Sequence, residues 1–400
     1  MESNFEDNIS LRITDTIADI SPEQWDACAN PGYASKGDDR SYDPFVSYAF
    51  LSALEKSESA VAETGWAPRH LILEDHNSQL LGTVPMYIKN HSQGEYVFDY
   101  QWADAFERAG GSYYPKLQVS VPFTPVTGRR LLVRPGEHET AVETILIEGC
   151  MQAAKQLAVS SLHFTFLKNG QSDRLQELGF LLRTDQQFHW QNGGYTDFDD
   201  FLGALSSKKR RNIKRERRIA LEEGVCIEHL TGSEITESHW DAFFRFYMDT
   251  GDRKWGSPYL TRRFFSMVGA SMADRILLIM CRLGDNYVAG ALNFIGGDCL
   301  YGRYWGTLGD FPFLHFEVCY YQAIEYAIRH NLAYVEAGAQ GEHKLARGYL
   351  PHQTCSAHWI ANDSFRAAIA DHLISERRYV DENIQIWNEH SPFRSEKNKA

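Results

Sequence analysis

The sequence has no uninterrupted apolar run that approaches the ~18 residues of a membrane-spanning helix, which argues against an integral helical membrane protein. Its opening residues, MESNFEDNIS, are acidic and polar, unlike a signal or transit peptide. Cysteine is scarce: there are seven, an odd number, and no two have the CxxC spacing of a metal or redox motif. This usage is typical of free thiols in a reducing compartment, so we expect a cytoplasmic protein.

Positive charge is also in deficit, because 40 Lys and Arg residues are set against 53 Asp and Glu residues and the net charge is −13. Such a balance argues against binding to nucleic acid or anionic lipid over the whole surface. One segment reverses it, since residues 208–218, KKRRNIKRERR, hold eight basic residues and a single glutamate. A local anion site is therefore compatible with the acidic chain.

The basic segment is predicted to form a helix with Ser206 or Ser207 as its N-cap and Gly224 at its end. Free backbone N–H groups, the positive end of the helix dipole and side-chain cations then meet at one place. The predicted anion-binding residues are Ser207, Lys208, Arg211 and Lys214. A phosphate of CoA or of tRNA would suit this site, and a solvated, locally salt-bridged helix is the alternative.

The order of predicted elements indicates a mixed α/β (α+β) fold that occurs twice along the chain. Each half contains a strand, helices, an antiparallel meander, a crossover helix, a further strand and returning strands. We place the boundaries at residues 1–193 for the first domain, 194–363 for the second domain with its basic first helix, and 364–400 for a terminal helix and tail. An apolar fraction of 43% is ordinary for a globular protein of this kind.

Residues 298–358 are predicted to contain the working site. A strand, DCLYGRYWGT, precedes a helix with Pro312 at its first position, and a second strand, LAYVEAGAQ, follows that helix. This order predicts a parallel βαβ unit, which places ligands at the carboxyl ends of its strands.

Two acidic residues in this unit stand where apolar residues are expected. Glu317 falls on the apolar stripe of the helix, and Glu336 lies inside an apolar strand. A buried carboxylate is costly unless it has a partner or a chemical task. His343, Lys344 and Arg347 follow the second strand and could bind a substrate phosphate or carboxylate, or pair with the glutamates in internal ion pairs.

Further candidates come from aromatic and polar clusters. Tyr301, Tyr304 and Trp305 could line a substrate channel, although strand aromatics are more often core residues. His315 is a further candidate for substrate binding. Lys254 lies in a cationic turn, and Lys89 and Glu95 belong to a polar–aromatic cluster of the first domain. Cys319 has no His–Asp arrangement to activate it, and the histidines lack ligand spacing with any cysteine pair, so we expect no metal.

Several strings resemble a known family. HSQGEYVFDYQWADAF, YYPKLQVSVPFTPVTGRRLL, HFEVCYYQAIEYAI and VEAGAQGEHKLARGYLP are similar to the FemAB-like predicted N-acyltransferases, and the basic helix is similar to that of the Fem-type peptidyltransferases. The resemblance, over about residues 40 to 392, implies two tandem domains of the GNAT acyltransferase fold. It also implies acyl transfer to an amine, carried by a small molecule or a peptide, as in peptidoglycan-related chemistry.

Acyl-CoA is the donor we favour. Arg303-x-x-Gly306-x-x-Gly309 stands where GNAT enzymes carry their Arg/Gln-x-x-Gly-x-Gly/Ala loop, and no insertion matches the long helical arm that Fem enzymes use with aminoacyl-tRNA. The expected base is Glu336 or Glu317, followed by His343 or His315. The alternatives are a Fem-type aminoacyl-tRNA-dependent transferase and a non-catalytic protein that recognises a cell-wall or amino-sugar ligand.

Overall fold

A computed structural model describes residues 9–34, 41–254, 258–339 and 341–394, without the side chains of residues 34 and 252–254. The chain divides into two compact units. The first unit comprises Met1–Asp185 and Thr354–Val380, and the second comprises Gln186–Gln353 and Asp381–Ala400. These units differ from the contiguous domains 1–193, 194–363 and 364–400 expected from the sequence, because a strand near each boundary contributes residues to both units.

The strands are numbered in chain order. They are β1 (Ile9–Thr14), β2 (Ala67–Pro68), β3 (His70–Asp75), β4 (Leu80–Val84), β5 (Met86–Lys89), β6 (Lys116–Val119), β7 (Leu132–Val133), β8 (Ser161–Phe164), β9 (Leu181–Gln191), β10 (Cys226–Leu230), β11 (Ile276–Leu283), β12 (Asn286–Ile295), β13 (Cys299–Thr307), β14 (Tyr334–Ala337) and β15 (Leu350–Ile360). The division between the units falls within β9, within β15 and within the C-terminal helix, Asp363–Glu389.

The α-helices are numbered in the same way. They are α1 (Pro22–Ala29), α2 (Pro31–Ala34), α3 (Tyr48–Lys56), α4 (Tyr100–Arg108), α5 (Glu139–Gln156), α6 (Asn169–Glu177), α7 (Phe198–Ala204), α8 (Ser207–Ala220), α9 (Glu237–Lys254), α10 (Arg262–Ser271), α11 (Leu314–Phe316), α12 (Gln322–Arg329) and α13 (Asp363–Glu389). Within the described ranges, no helix combines the length and the hydropathy needed to cross a bilayer.

The first unit contains two sheets. One has the strand order β1-β3-β4-β7, and the other includes the order β15-β8-β6-β5-β2. Strands β6 and β8 are parallel, and α5 lies between them in the chain as a crossover helix. One side of α5 packs into an apolar core with residues such as Leu117, Leu146 and Leu162. The burial of this apolar surface is the main stabilising term of the unit.

The second unit is built on the strand order β10-β11-β12-β13-β14-β9. Strands β10 to β13 form an antiparallel meander, and β13 pairs in parallel with β14. The crossover between these parallel strands consists of α11, a π-helical turn over Glu317–Tyr321, and α12. The predicted βαβ unit is therefore present. Its helix begins later than expected, because Phe313 has a φ of 64° and leaves Pro312 in the preceding turn.

A β-bulge interrupts the pairing of β12 with β13. Leu292 is opposite Tyr304, but the next residue, Asn293, is opposite Gly302, so Arg303 has no counterpart on β12. An extra residue in one strand locally bends and twists the sheet, and such bulges are frequent beside functional sites. Here the bulge lies next to the parallel strand β14.

Gly306 lies inside β13, and the reason for a glycine there is close packing. A Cβ on Gly306 would lie 2.3 Å from the main-chain carbonyl of Phe246, in α9. The candidate CoA-binding segment runs from Arg303 to Gly309. Its residues up to Thr307 are therefore part of a strand covered by a helix, and Gly309 lies in the bend after that strand.

Replacement of Gly306 by alanine is expected to destabilise the second unit, because the added Cβ overlaps the backbone of α9. Overpacking costs about 1–3 kcal/mol and occasionally more, and we expect the upper end of that range. Urea unfolding measures the change. Gly203→Ala in α7 is the matched control, since a Cβ there meets nothing within 4 Å and alanine favours a helix. Equal unfolding midpoints for the two variants would contradict the close approach of α9 to β13.

Candidate functional site

A cavity of about 110 Å³ lies in the second unit, beside the carboxyl end of β14. Its wall includes Ala337 and Gly338, at the end of that strand. The parallel βαβ order predicts a ligand site at such a position. The polar and aromatic residues of the wall are Asn293, Arg303, Tyr304, Trp305, His315, Cys319 and Tyr320. We refer to this space as the βαβ cavity.

Three residues predicted to bind substrate meet in the wall of the βαβ cavity: Tyr304, Trp305 and His315. The ring of His315 lies 5.5 Å from that of Trp305 and 5.4 Å from that of Tyr320, measured between centroids. The wall thus combines aromatic faces with an imidazole, which suits a ligand that has both an apolar part and a polar group.

Glu317 does not line this cavity. Its side chain is fully buried and accepts hydrogen bonds from the guanidinium of Arg217, at 3.0 to 3.2 Å, and from Nε2 of Gln322, at 2.7 Å. Burial raises the pKa of Glu317, and the charge of Arg217 opposes that shift. The structure places Glu317 in an internal ion pair, the alternative that accompanied its assignment as a base.

Glu336 is mostly buried, and its Oε1 lies 3.9 Å from Nδ1 of His189. Although that distance meets the geometric limit for an ion pair, burial lowers the pKa of His189 to about 3, so the imidazole is neutral near pH 7. Lys344 is 1% exposed and donates a hydrogen bond of 2.7 Å to the carbonyl oxygen of Gly338. Burial lowers the pKa of Lys344 to about 8, an effect opposed by the negative charge of Glu336.

His343 and Arg347 lie on a 3₁₀ helix over Glu342–Arg347. The imidazole of His343 shares a 2.8 Å hydrogen bond with the hydroxyl of Tyr320, which belongs to the cavity wall. Arg347 donates a 2.9 Å hydrogen bond to Glu216, and its guanidinium lies 3.5 Å from the centre of the Phe316 ring. Arg347 is therefore held by protein groups, whereas His343 is exposed and connected to the cavity.

The predicted anion-binding residues lie on α8, with Ser206 as N-cap and Ser207 as first residue. Lys214 is within 3.0 Å of Asp199, but both side chains are largely exposed, and such pairs contribute little. Among the described residues, no ion pair joins a carboxylate to any of the four cations at the start of the helix. We call these four the basic patch: Lys208, Lys209, Arg210 and Arg211.

Lys89 and Glu95 belong to a buried polar cluster of the first unit. Lys116 is fully buried and donates hydrogen bonds to Glu95, at 2.7 Å, and to Asp99. Nζ of Lys89 lies 4.0 Å from Glu95 and 3.7 Å from the centre of the Trp66 ring. Burial lowers the pKa of Lys89 to about 7 and raises that of Glu95 to about 7. The structure thus brings these two predicted residues to each other but gives neither an exposed surface.

The side chain of one predicted site residue is not described, and Asn293 of the cavity wall was not predicted from the sequence. Lys254 ends α9, but its side chain lies outside the described part of the structure. Asn293 was not singled out, although an asparagine inside the apolar run ALNFI is a signal of a polar task. Over the described residues, no three His, Cys, Asp or Glu side chains are grouped as metal ligands.

A protein-family model matches nearly the whole sequence of this chain. Residues 16–395 match the FemAB-like model, which is described by peptidoglycan biosynthesis and recognition. The chain belongs to the FemAB-like family. The resemblance noted from the sequence is thereby confirmed, and it extends over nearly the whole chain.

Solved structures share the fold at low sequence identity. FemX is 12% identical, with a TM-score of 0.52 over 88% of this chain and 98% of FemX. The C-terminal domain of a putative lysylphosphatidylglycerol synthetase from Agrobacterium fabrum is 7% identical, with a TM-score of 0.52 over 88% of this chain and 96% of that domain. L-PGS from Bacillus licheniformis is 8% identical, with a TM-score of 0.50 over 82% of this chain and 96% of L-PGS.

These likenesses concern the fold alone, which is the expected mixed α/β class with two GNAT-like units in tandem. No curated protein matches the chain.

The stability of the second unit is expected to rise between pH 8 and pH 10.5 through Lys344. Its folded-state pKa of about 8 is below the unfolded value, so burial of the charged form is unfavourable at pH 7 and this penalty disappears as the folded protein loses the proton. The free energy of unfolding should increase by on the order of 3 kcal/mol over this pH range. Urea unfolding of wild type and Lys344→Met between pH 7 and 10 measures it. Lys344→Met should lack this rise in stability, while the control Lys168→Met, at an exposed lysine, should keep it. Parallel curves of stability against pH for wild type and Lys344→Met would refute the lowered pKa of Lys344.

Proposed function

We propose that this FemAB-like protein transfers an aminoacyl group from the ester of an aminoacyl-tRNA to an amine of a peptidoglycan precursor. The family assignment supports peptidoglycan-related chemistry. The observation that carries the choice of donor is the basic patch: four cations at the start of α8 without carboxylate partners among the described residues, in a chain of net charge −13. Concentrated positive charge of this kind is suited to a phosphate backbone.

An acyl-CoA donor, which the sequence favoured, receives less support. The segment expected to be the CoA-binding loop, Arg303 to Gly309, begins inside β13, where Gly306 serves the packing of α9, and Gly309 after the strand donates its N–H to the hydroxyl of Thr307 at 3.3 Å. Backbone N–H groups that pair within a sheet cannot also bind a phosphate. We therefore prefer the Fem-type alternative for this site.

The reaction makes one bond and breaks another. The amine nitrogen attacks the ester carbonyl and the C–N bond forms. The C–O bond then breaks, and the ribose oxygen of the tRNA leaves as a hydroxyl with the proton that the amine gives up. The amine must be neutral to attack, so a base has to hold its proton. We assign this role to His315, because its imidazole lines the βαβ cavity, whereas the carboxylate of Glu317 is held by Arg217. Glu336, Lys344 and His343 set the electrostatic surroundings.

Replacement of all four residues of the basic patch by glutamate is expected to weaken tRNA binding at least 100-fold at low salt. The slope of log affinity against log salt should fall by about 3, since each phosphate contact contributes about 0.7 to 0.9. Filter binding or fluorescence anisotropy at several salt concentrations measures both quantities.

The matched control for this test places four glutamates at exposed cations of the first unit: Lys56, Arg108, Lys155 and Lys168. It changes the net charge by the same amount. If both quadruple variants lose tRNA binding equally, a general charge effect explains it and the patch has no specific role. If neither does, the tRNA donor is wrong.

His315→Asn is expected to lower the turnover of aminoacyl transfer by about 10² to 10⁴, the usual contribution of a general base. The assay follows the mass increase of an amine-bearing peptidoglycan precursor with aminoacyl-tRNA, and in parallel with acyl-CoA. His330→Asn, at an exposed histidine of the same unit, is the control. Unchanged turnover in His315→Asn would refute the role of His315. Binding of the precursor without transfer from either donor would favour a recognition protein instead.

A further inference from the structure

Asn293 has a buried acceptor without a partner. Its side chain is 1% exposed, and its Nδ2 donates a 3.1 Å hydrogen bond to the carbonyl oxygen of Leu277. Its Oδ1 has no hydrogen-bond partner within the described part of the chain. An unsatisfied buried acceptor costs free energy, which a ligand that donates a hydrogen bond would recover.

The hydrogen bond to Leu277 also distinguishes the position of Nδ2 from that of Oδ1 in the Asn293 side chain. If the amide were rotated by 180°, two carbonyl oxygens would be opposed and the hydrogen bond to Leu277 would be lost. The free atom at this position is therefore the oxygen, an acceptor that requires a donor from outside the protein.

Asn293 lies at the β-bulge and is part of the wall of the βαβ cavity. Asn293 and Gly302 are opposite each other across β12 and β13, and both line the cavity. A Cβ at Gly302 would lie 3.4 Å from Oδ1 of Asn293, and equally far from the carbonyl oxygen of Glu336. Glycine at position 302, itself in the cavity wall, thus leaves both acceptor oxygens without a methyl group against them.

We propose that the βαβ cavity receives a primary amino group and that Oδ1 of Asn293 accepts a hydrogen bond from it. The aromatic residues of the cavity wall support an amine over other donors, because aromatic rings attract an ammonium group. A volume of about 110 Å³ fits a small amine-bearing group, not a whole nucleotide. This inference rests on the proposed function and deepens it, since aminoacyl transfer involves both an acceptor amine and the α-amine of the donor.

Two small ligands that differ only in an amino group measure the contribution of that group to binding. L-Alaninamide carries an α-amino group, whereas propionamide has the same skeleton without it. We expect wild-type protein to bind L-alaninamide at least 10-fold more tightly than propionamide, measured by ligand-observed NMR titration. Asn293→Leu should weaken L-alaninamide about 10-fold or more and leave propionamide unchanged, because a hydrogen bond to a charged donor is lost.

Two further variants separate this effect from misfolding. Gly302→Ala keeps Asn293 and meets its neighbours only at ordinary contact distance, but its methyl group covers Oδ1, so it should weaken L-alaninamide in the same way. Asn293→Asp keeps an acceptor, and its protonated carboxyl can still donate to the carbonyl oxygen of Leu277, so it should retain binding within about 3-fold. The matched controls are Asn286→Leu, at an exposed asparagine, and Gly203→Ala; both should bind both probes as wild type does.

Equal affinity for the two probes, or undiminished L-alaninamide binding in both Asn293→Leu and Gly302→Ala, would overturn the inference and leave the oxygen to a water molecule.

The transfer assay distinguishes the two amines. In Asn293→Leu, a raised KM for the precursor would assign the amine to the acceptor, and a raised KM for aminoacyl-tRNA would assign it to the donor. Either result supports the inference. Asn293-dependent binding without any transfer would refute the proposed function alone, and normal transfer with unaltered binding in the variants would refute the inference alone.

Discussion

A buried ion pair joins the two parts of the second unit on which the proposed chemistry depends. Arg217 is on the basic helix α8, and Glu317 begins the π-helical turn of the crossover between β13 and β14. The same crossover contributes His315 and Tyr320 to the cavity wall. Glu317 is fully buried and Arg217 is partly exposed, so loss of Arg217 would leave the buried carboxylate uncompensated, at a cost of about 3–5 kcal/mol. The basic helix and the crossover that lines the cavity are thus tied together by this interaction.

A second contact supports the same arrangement. Glu216, next to Arg217 on α8, accepts hydrogen bonds from Arg347 and from the hydroxyl of Tyr321. The helix therefore has two adjacent residues tied to the site region, while its first turns present unpaired cations among the described residues. A helix with charges around most of its circumference can pack in this way only if some of those charges have buried partners.

The two units use buried charge differently. In the first unit, Lys116 holds Glu95 and Asp99 in an interior cluster, so opposite charges compensate one another away from solvent. In the second unit, Lys344 is buried against the carbonyl oxygen of Gly338, beside a cavity. A lysine that bonds to a carbonyl oxygen gains less compensation for its charge than one between two carboxylates. Its lowered pKa reflects that difference.

The periodic elements could be predicted from the sequence: the strand, crossover helix and strand of the βαβ unit, the basic helix and the aromatic residues near the cavity. These follow from local patterns of apolar residues, which act over a few positions along the chain. Tertiary structure decided the rest. Glu317 obtains its partner from 100 positions away, strands β9 and β15 contribute to both units, and Asn293 becomes a free acceptor only through a bulge and a facing glycine. Partners distant in sequence are selected by packing, which no local pattern encodes.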